Sequence, residues 1–239
     1  MGLVPVAIVA TSREAPQAKE GTMPASAWVT ISACALACTA LLFSEVRHWR
    51  TGRMIFKTLA STAFVLLALQ LDAAASAYGR AILLALGLSW LGDVLLLSTR
   101  SRIFLIGIAS FLLAHLAFSW AFVLHGFDGR AAIGAVVVMA AFGIAILAWL
   151  RPHLSGLYRF AVPAYVLAIV MIVSLSVAAS VATGTWSLAA GAVLFAVSDI
   201  SVARDRFVSP GYVNRLWGLP LYYLAQIVLL STLGLHATN

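Results

Sequence analysis

Eight apolar runs, each close to the ~20 residues that a helix needs to cross a bilayer core, follow one another along this chain with only short loops between them. They cover about 24–44, 54–71, 80–98, 103–125, 131–150, 160–183, 186–203 and 216–236. The runs are continuous rather than alternating with period two, which excludes a transmembrane β-barrel. Charged residues make up 10% of the chain and its mean hydropathy is +1.03; a soluble domain carries about 25% charged residues. The predicted fold is an all-α integral membrane protein, a single domain over 24–239 built as a bundle of eight transmembrane helices, with a 4+4 parallel repeat left open. Short loops make consecutive helices antiparallel neighbours. Residues 1–23 combine an apolar stretch too short to span with a polar one, and are expected to form a mobile N-terminal tail.

The net charge of +7 sits in the loops. After the first, third, fifth and seventh runs come Arg47, Arg50, Arg53, Arg100, Arg102, Arg151, Arg159, Arg204, Arg206 and Arg215; the other side has Arg13, Lys19, Arg80 and Arg130. With Lys57 inside the second run, these ten and four complete the fifteen Lys and Arg residues. Positive loops stay cytoplasmic, so both termini are expected on the non-cytoplasmic side, in a bacterial inner membrane or its equivalent. Basic residues dispersed in this way make no nucleic-acid surface, and no nucleic-acid partner is expected. Cys34 and Cys38 lie four apart on one apolar helix. They form no disulfide framework and lack further ligands for a metal, so they are read as small packing residues.

Two carboxylates interrupt this pattern. Asp93 stands in SWLGDVLLL and Asp199 in GAVLFAVSDISVA, both toward the cytoplasmic ends of their helices. At 1.5 Å per residue each lies roughly 8–11 Å inside the end of its run. A buried acid is expensive in a membrane, so it is turned inward and used there. Their contexts match, Gly92-Asp93 preceding Arg100-Ser101-Arg102 and Ser198-Asp199 preceding Arg204-Asp205-Arg206, and four helices separate them. No buried arginine lies at the depth of either acid.

Other polar groups share that half of the membrane: Lys57, Tyr165 after Pro163, and Tyr222 with Gln226 at i, i+4 on the last helix; His115 lies deeper. Each has a plainer role open to it. Lys57 could snorkel to the interface. Tyr222 and Tyr223 suit an interfacial belt, and Gln226 and His115 suit helix contacts. Ser89 and Ser198 suit close helix packing. The loop arginines serve topology, although Arg206 or a neighbour could hold a phosphate. Asp93, Asp199 and His115 could make a three-ligand metal site, but no HExxH or His-rich cluster supports one. No Gly-rich phosphate loop or G-x-S-x-G elbow occurs, and no metal or cofactor is expected.

GLSWLGDVLLL, FLIGIASFLLAHLAF, the Pro163-Ala164-Tyr165 step, GAVLFAVSDISVARDRF and YYLAQ together resemble, in order, the motifs of the YhhN-like family of lysoplasmalogenases. The resemblance runs from about Lys57 to Gln226; the family often has Lys-Pro where this chain has Lys57-Thr58. It implies an eight-helix membrane enzyme that hydrolyses the vinyl-ether bond of a lysophospholipid, the lysoplasmalogen. The products would be a fatty aldehyde and glycerophosphoethanolamine or glycerophosphocholine. Membrane lipids would surround it.

That chemistry suits the residues independently. Protonation of the vinyl carbon gives an oxocarbenium ion, to which water adds. The reaction needs one carboxylic acid and one carboxylate, and desolvation and like charge oppose double ionisation of two neighbouring buried acids. Glycosidases treat a similar transition state with the same pair of groups. The expected catalytic residues are Asp93, Asp199 and His115, with Lys57, Tyr165, Ser198, Tyr222, Gln226 and Arg206 around the substrate. Which Asp is the acid stays open. Two other functions stay open as well. One is a proton-coupled transporter or flippase of a lipid or amphiphile, with the acids as a proton relay. The other is a non-catalytic protein in which the acids bond neighbouring helices.

Overall fold

The computed structural model describes residues 23–233. The tail expected over 1–23, apart from Met23, lies outside them, as do the end of the last run and both termini. Eight long helices are seen among the described residues: α1 (Ala25–Val46), α2 (Arg50–Gln70), α3 (Ala77–Leu96), α4 (Ser101–His125), α5 (Gly129–Leu150), α6 (Tyr158–Thr183), α7 (Ser187–Ala203) and α8 (Tyr212–Ser231). A π-helical turn, Arg204–Val208, continues α7. The described residues contain no strand.

Local chemistry sets several of the helix ends. Ser76 and Asp128 cap α3 and α5, accepting from the backbone N–H of Gly79 at 2.9 Å and of Ala131 at 2.8 Å. Gly184 takes a left-handed φ of 74° and returns its N–H to Ser180 at 2.8 Å, which stops α6. Pro163 and Pro220 each remove one backbone donor inside α6 and α8. In both cases a tyrosine important below follows two residues later.

Seven helices close a ring. Each of α1, α2, α3, α4, α6, α7 and α8 packs on the next, α8 returns to α1, and α2 also reaches α8. Phe64, Phe118, Phe122 and Phe195 fill the middle. Glycines bring helices close: a Cβ on Gly92 would enter the Phe111 ring of α4, and one on Gly218 would enter the Ser201 side chain of α7. α5 departs from the expected order. It stands outside the ring against α6, with only Gly143 and Leu150 buried, and α4 packs on α6 in its place. Gly143 admits Val166 and Val170 of α6. The rest of α5 is apolar on all sides, and such a helix gains nothing from leaving lipid for a protein interior.

Among the described residues seven helices are long and apolar enough to cross a membrane: α1 to α6, and α7 with its π turn. The described part of α8, Tyr212–Ser231, is not among them: it carries Asn214, Arg215, Tyr222 and Gln226, all four turned at least partly inward. Large apolar side chains such as Trp28, Leu36, Val137, Ile144 and Leu167 point outward instead. That is the reverse of a water-soluble bundle and what a lipid solvent asks for. The protein is an integral, multi-pass membrane protein.

Candidate active site

At the arginine-rich end of the bundle all eight helices contribute to one cavity of about 480 Å³. Leu41, Leu96, Ile108, Ile146, Val166 and Leu219 give it apolar walls. Asp93 and Asp199 both face it, and their settings differ.

Asp93 is 2% exposed and surrounded by donors. Its Oδ2 accepts from Ser61 Oγ at 2.5 Å and Tyr222 Oη at 2.8 Å, and Lys57 Nζ lies 3.2 Å from Oδ1. Lys57 therefore does not snorkel outward, and the acid that lacked an arginine has an ammonium instead. Hydrogen bonds to a charged group are each worth ~1.5–3 kcal/mol, enough together to offset the several kcal/mol that an unpaired buried carboxylate costs. Ser61 follows Lys57 by one helical turn, so α2 presents both on one face. Tyr223 braces the pair, 3.4 Å from the Ser61 hydroxyl and from the Lys57 carbonyl.

Asp199 has the opposite company. Its Oδ2 lies 3.1 Å from Nε2 of His115, off the axis of a formed hydrogen bond, and neither atom has another partner among the described residues. His115 is fully buried and its Nδ1 sits 2.7 Å from the Phe111 carbonyl. A carbonyl only accepts, so Nδ1 carries a proton. Tyr165 reaches the Asp199 carboxylate, and the Tyr165 and Phe195 rings pack on the imidazole at 5.1 and 4.5 Å between centroids.

The mouth is charged. Arg53 Nε lies 2.9 Å and Arg215 2.6 Å from the two oxygens of Glu45, and Arg215 also reaches Asp205 at 3.2 Å. Asn214 ties this network to Arg204, Asp205 and the Ser209 carbonyl. Arg206 stands apart: its guanidinium lies 4.2 Å over the Phe104 ring and 3.5 Å from the Tyr158 hydroxyl, with no carboxylate partner among the described residues.

Of the residues singled out from sequence, Lys57, Asp93, Tyr165, Ser198, Asp199, Arg206 and Tyr222 line the cavity. Ser198 does so with its hydroxyl already committed to the Phe195 carbonyl at 2.7 Å. His115 stands behind Asp199. Gln226 lies one turn deeper than Tyr222, fully buried, and neither of its amide atoms has a partner among the described residues. Ser61, Glu45 and Asn214 escaped the sequence reading, in which Arg53 stands only among the loop arginines that set topology. The i, i+4 step from Lys57 would have pointed to Ser61, and an acid closing the first apolar run would have pointed to Glu45.

Comparison with known proteins gives the same family that the motifs suggested. The lysoplasmalogenase TMEM86A of Bos taurus is 29% identical over 154 residues, covering 62% of each chain. The lysoplasmalogenase of Mycobacterium bovis is 34% identical over 155 residues, 62% of this chain and 57% of its own. The lysoplasmalogenase TMEM86B of Sus scrofa is 34% identical over 146 residues, 61% of this chain and 59% of its own. The matched part thus spans about six tenths of the length of these curated relatives. No solved structure matches. The model of the YhhN family matches residues 52–233, from the start of α2 to the end of α8 and with both carboxylates inside it: the chain belongs to the YhhN family.

Proposed function

We propose that the protein is a membrane hydrolase that cleaves the vinyl-ether bond of lysoplasmalogens, releasing a fatty aldehyde and glycerophosphoethanolamine or glycerophosphocholine. The observation that carries this reading is the shared cavity: two inward-facing acids with unlike partners, apolar walls, and arginines at one end. Similarity to relatives named lysoplasmalogenase supports it. A single acyl-length chain lies along Leu96, Ile146 and Val166, and the vinyl ether meets Asp93 and Asp199. The phosphodiester rests at the mouth, where Arg206 is, of the three arginines that line the cavity, the one with no carboxylate partner among the described residues. Lys57, engaged with Asp93, acts on the acid and not on the head group.

In this reading one acid protonates the vinyl carbon, the other carboxylate steadies the oxocarbenium ion, water adds, and the hemiacetal collapses to aldehyde and alcohol. All eight helices cross the membrane as two parallel units of four. The shift that carries Asp93 onto Asp199 also carries the last residue of α4 onto the last residue of α8. Each acid is then met by the fourth helix of the other unit, Tyr222 on Asp93 and His115 on Asp199. The site forms where the two units face, and one unit supplies a lysine while the other supplies a tyrosine.

Substrate selectivity tests the chemistry. Purified protein in detergent is expected to release aldehyde from lysoplasmalogens and to prefer them strongly over two-chain plasmalogens. It is expected to leave the saturated alkyl ether untouched, because that ether has no double bond to protonate. Cleavage of the alkyl ether would refute the proposed step.

A further inference from the structure

Building on the hydrolase reading, we infer that the two acids are not interchangeable: Asp199, backed by His115, is the proton donor, and Asp93 is the carboxylate that faces the cation. The assignment follows from donors and acceptors alone. Asp93 receives hydrogen bonds from two hydroxyls and stands beside an ammonium. Lys57 can only donate, so this shell is built around an acceptor. At Asp199 the Tyr165 hydroxyl is a donor as well, but no ammonium stands beside the carboxylate and the neighbour of Oδ2 is His115. The Phe111 carbonyl fixes a proton on Nδ1 of His115, so Nε2 of a neutral imidazole carries a lone pair 3.1 Å from Oδ2, to one side of its axis. Two lone pairs that close repel, and the pair is stable only with one proton between them. In surroundings where His115 is fully buried, the uncharged arrangement, carboxylic acid facing imidazole, costs less desolvation than the ion pair. Asp199 faces the cavity and His115 does not, so Asp199 touches substrate and His115 is a positioning residue that keeps the proton in place.

The step balances with water as the sole co-reactant. The C=C π electrons take the Asp199 proton to form a C–H bond, and the ether oxygen stabilises the resulting cation beside Asp93. Water adds to that carbon and returns a proton to Asp199, and the hemiacetal hydroxyl proton moves to the departing glycerol oxygen. Other ionisable groups facing Asp199 are Tyr165 on α6 and, across the cavity, Tyr222 on α8 and Asp93 on α3 with Lys57 on α2. Asp205 and Arg206 on the π turn and Glu45, Arg53 and Arg215 at the mouth line the same space.

Aldehyde release against pH, with rescue by small carboxylic acids, separates the roles. Asp199→Gly should be rescued by formate or acetate increasingly as pH falls, following the acid form. Asp93→Gly should be rescued increasingly as pH rises, following the anion. The reverse pattern overturns the assignment. Where no rescue occurs, the Asn variants decide. The residual rate of Asp199→Asn should rise about tenfold per unit fall in pH, since hydronium must replace the donor, while that of Asp93→Asn should not; equal slopes overturn the assignment. His115→Gln keeps a polar side chain but removes the Nε2 acceptor beside Asp199, so kcat should fall at least about tenfold with KM little changed. An unchanged kcat reduces His115 to packing. Wild-type protein that releases no aldehyde defeats the hydrolase reading itself, which none of these variant results does.

Discussion

Lys57 was legible in the sequence as a cation inside an apolar run, but whether it turned outward or inward was not. Its direction depends on Asp93, 36 positions away, and on Ser61, which looks like any small helix-packing residue until its partner is seen. The acids were legible because lipid makes an unneeded carboxylate costly; their unlike partners were not, since both stand in similar local sequence. Lys57→Met should leave Asp93 with hydroxyl donors only and cost ~3–5 kcal/mol, the usual cost of removing one partner of a buried pair. Adding Asp93→Asn should recover most of that loss, because an amide needs no counter-ion. Thermal unfolding in detergent measures both, and an unchanged Lys57→Met would show that the pair contributes nothing. At the mouth, Arg206→Ala should raise KM roughly tenfold or more with little change in kcat, as expected when a charge-assisted contact to the head group is lost. A fall in kcat alone would place Arg206 in the chemistry.

Helices as units were read well where hydropathy decides and poorly where partners decide. The second and eighth runs begin at 54 and 216, whereas α2 and α8 begin at Arg50 and Tyr212. The added turns carry Arg53, Asn214 and Arg215, polar residues that find Glu45 and Asp205 as partners or near neighbours. The position of α5 was likewise hidden: an apolar run reads the same in the ring and outside it. The closeness of α7 and α8 has a direct test. Gly218→Ala gains about 1 kcal/mol of helix propensity, yet the new Cβ meets Ser201, and overpacking of that kind costs ~1–3 kcal/mol. A net loss of thermal stability is expected, with recovery in the Gly218→Ala, Ser201→Gly double variant. Gain of stability in the single variant would mean that the two helices are further apart.

Taken whole, the molecule concentrates its charge, its cavity and both acids at one end, the end that the distribution of arginines along the chain marks. A reporter in the 204–215 loop is expected to behave as cytoplasmic and one after Asn239 as non-cytoplasmic; opposite signals would move the cavity mouth to the other leaflet. Architecture and orientation leave both hydrolysis and proton-coupled transport possible, and a carboxylate in a membrane cavity serves either. Turnover without a gradient separates them. Wild-type, Asp93→Asn and Asp199→Asn proteins, each purified in detergent and matched by monodisperse elution and melting temperature, are given a lysoplasmalogen, and aldehyde is counted per folded molecule. Wild type should release aldehyde without sealed vesicles, each variant should be slower by a factor of about 10² or more, and the double variant should be little worse than the poorer single one. Folded variants with near-normal aldehyde release, or folded wild type that releases none yet moves the lipid across a proteoliposome membrane, would contradict hydrolysis by this pair of acids.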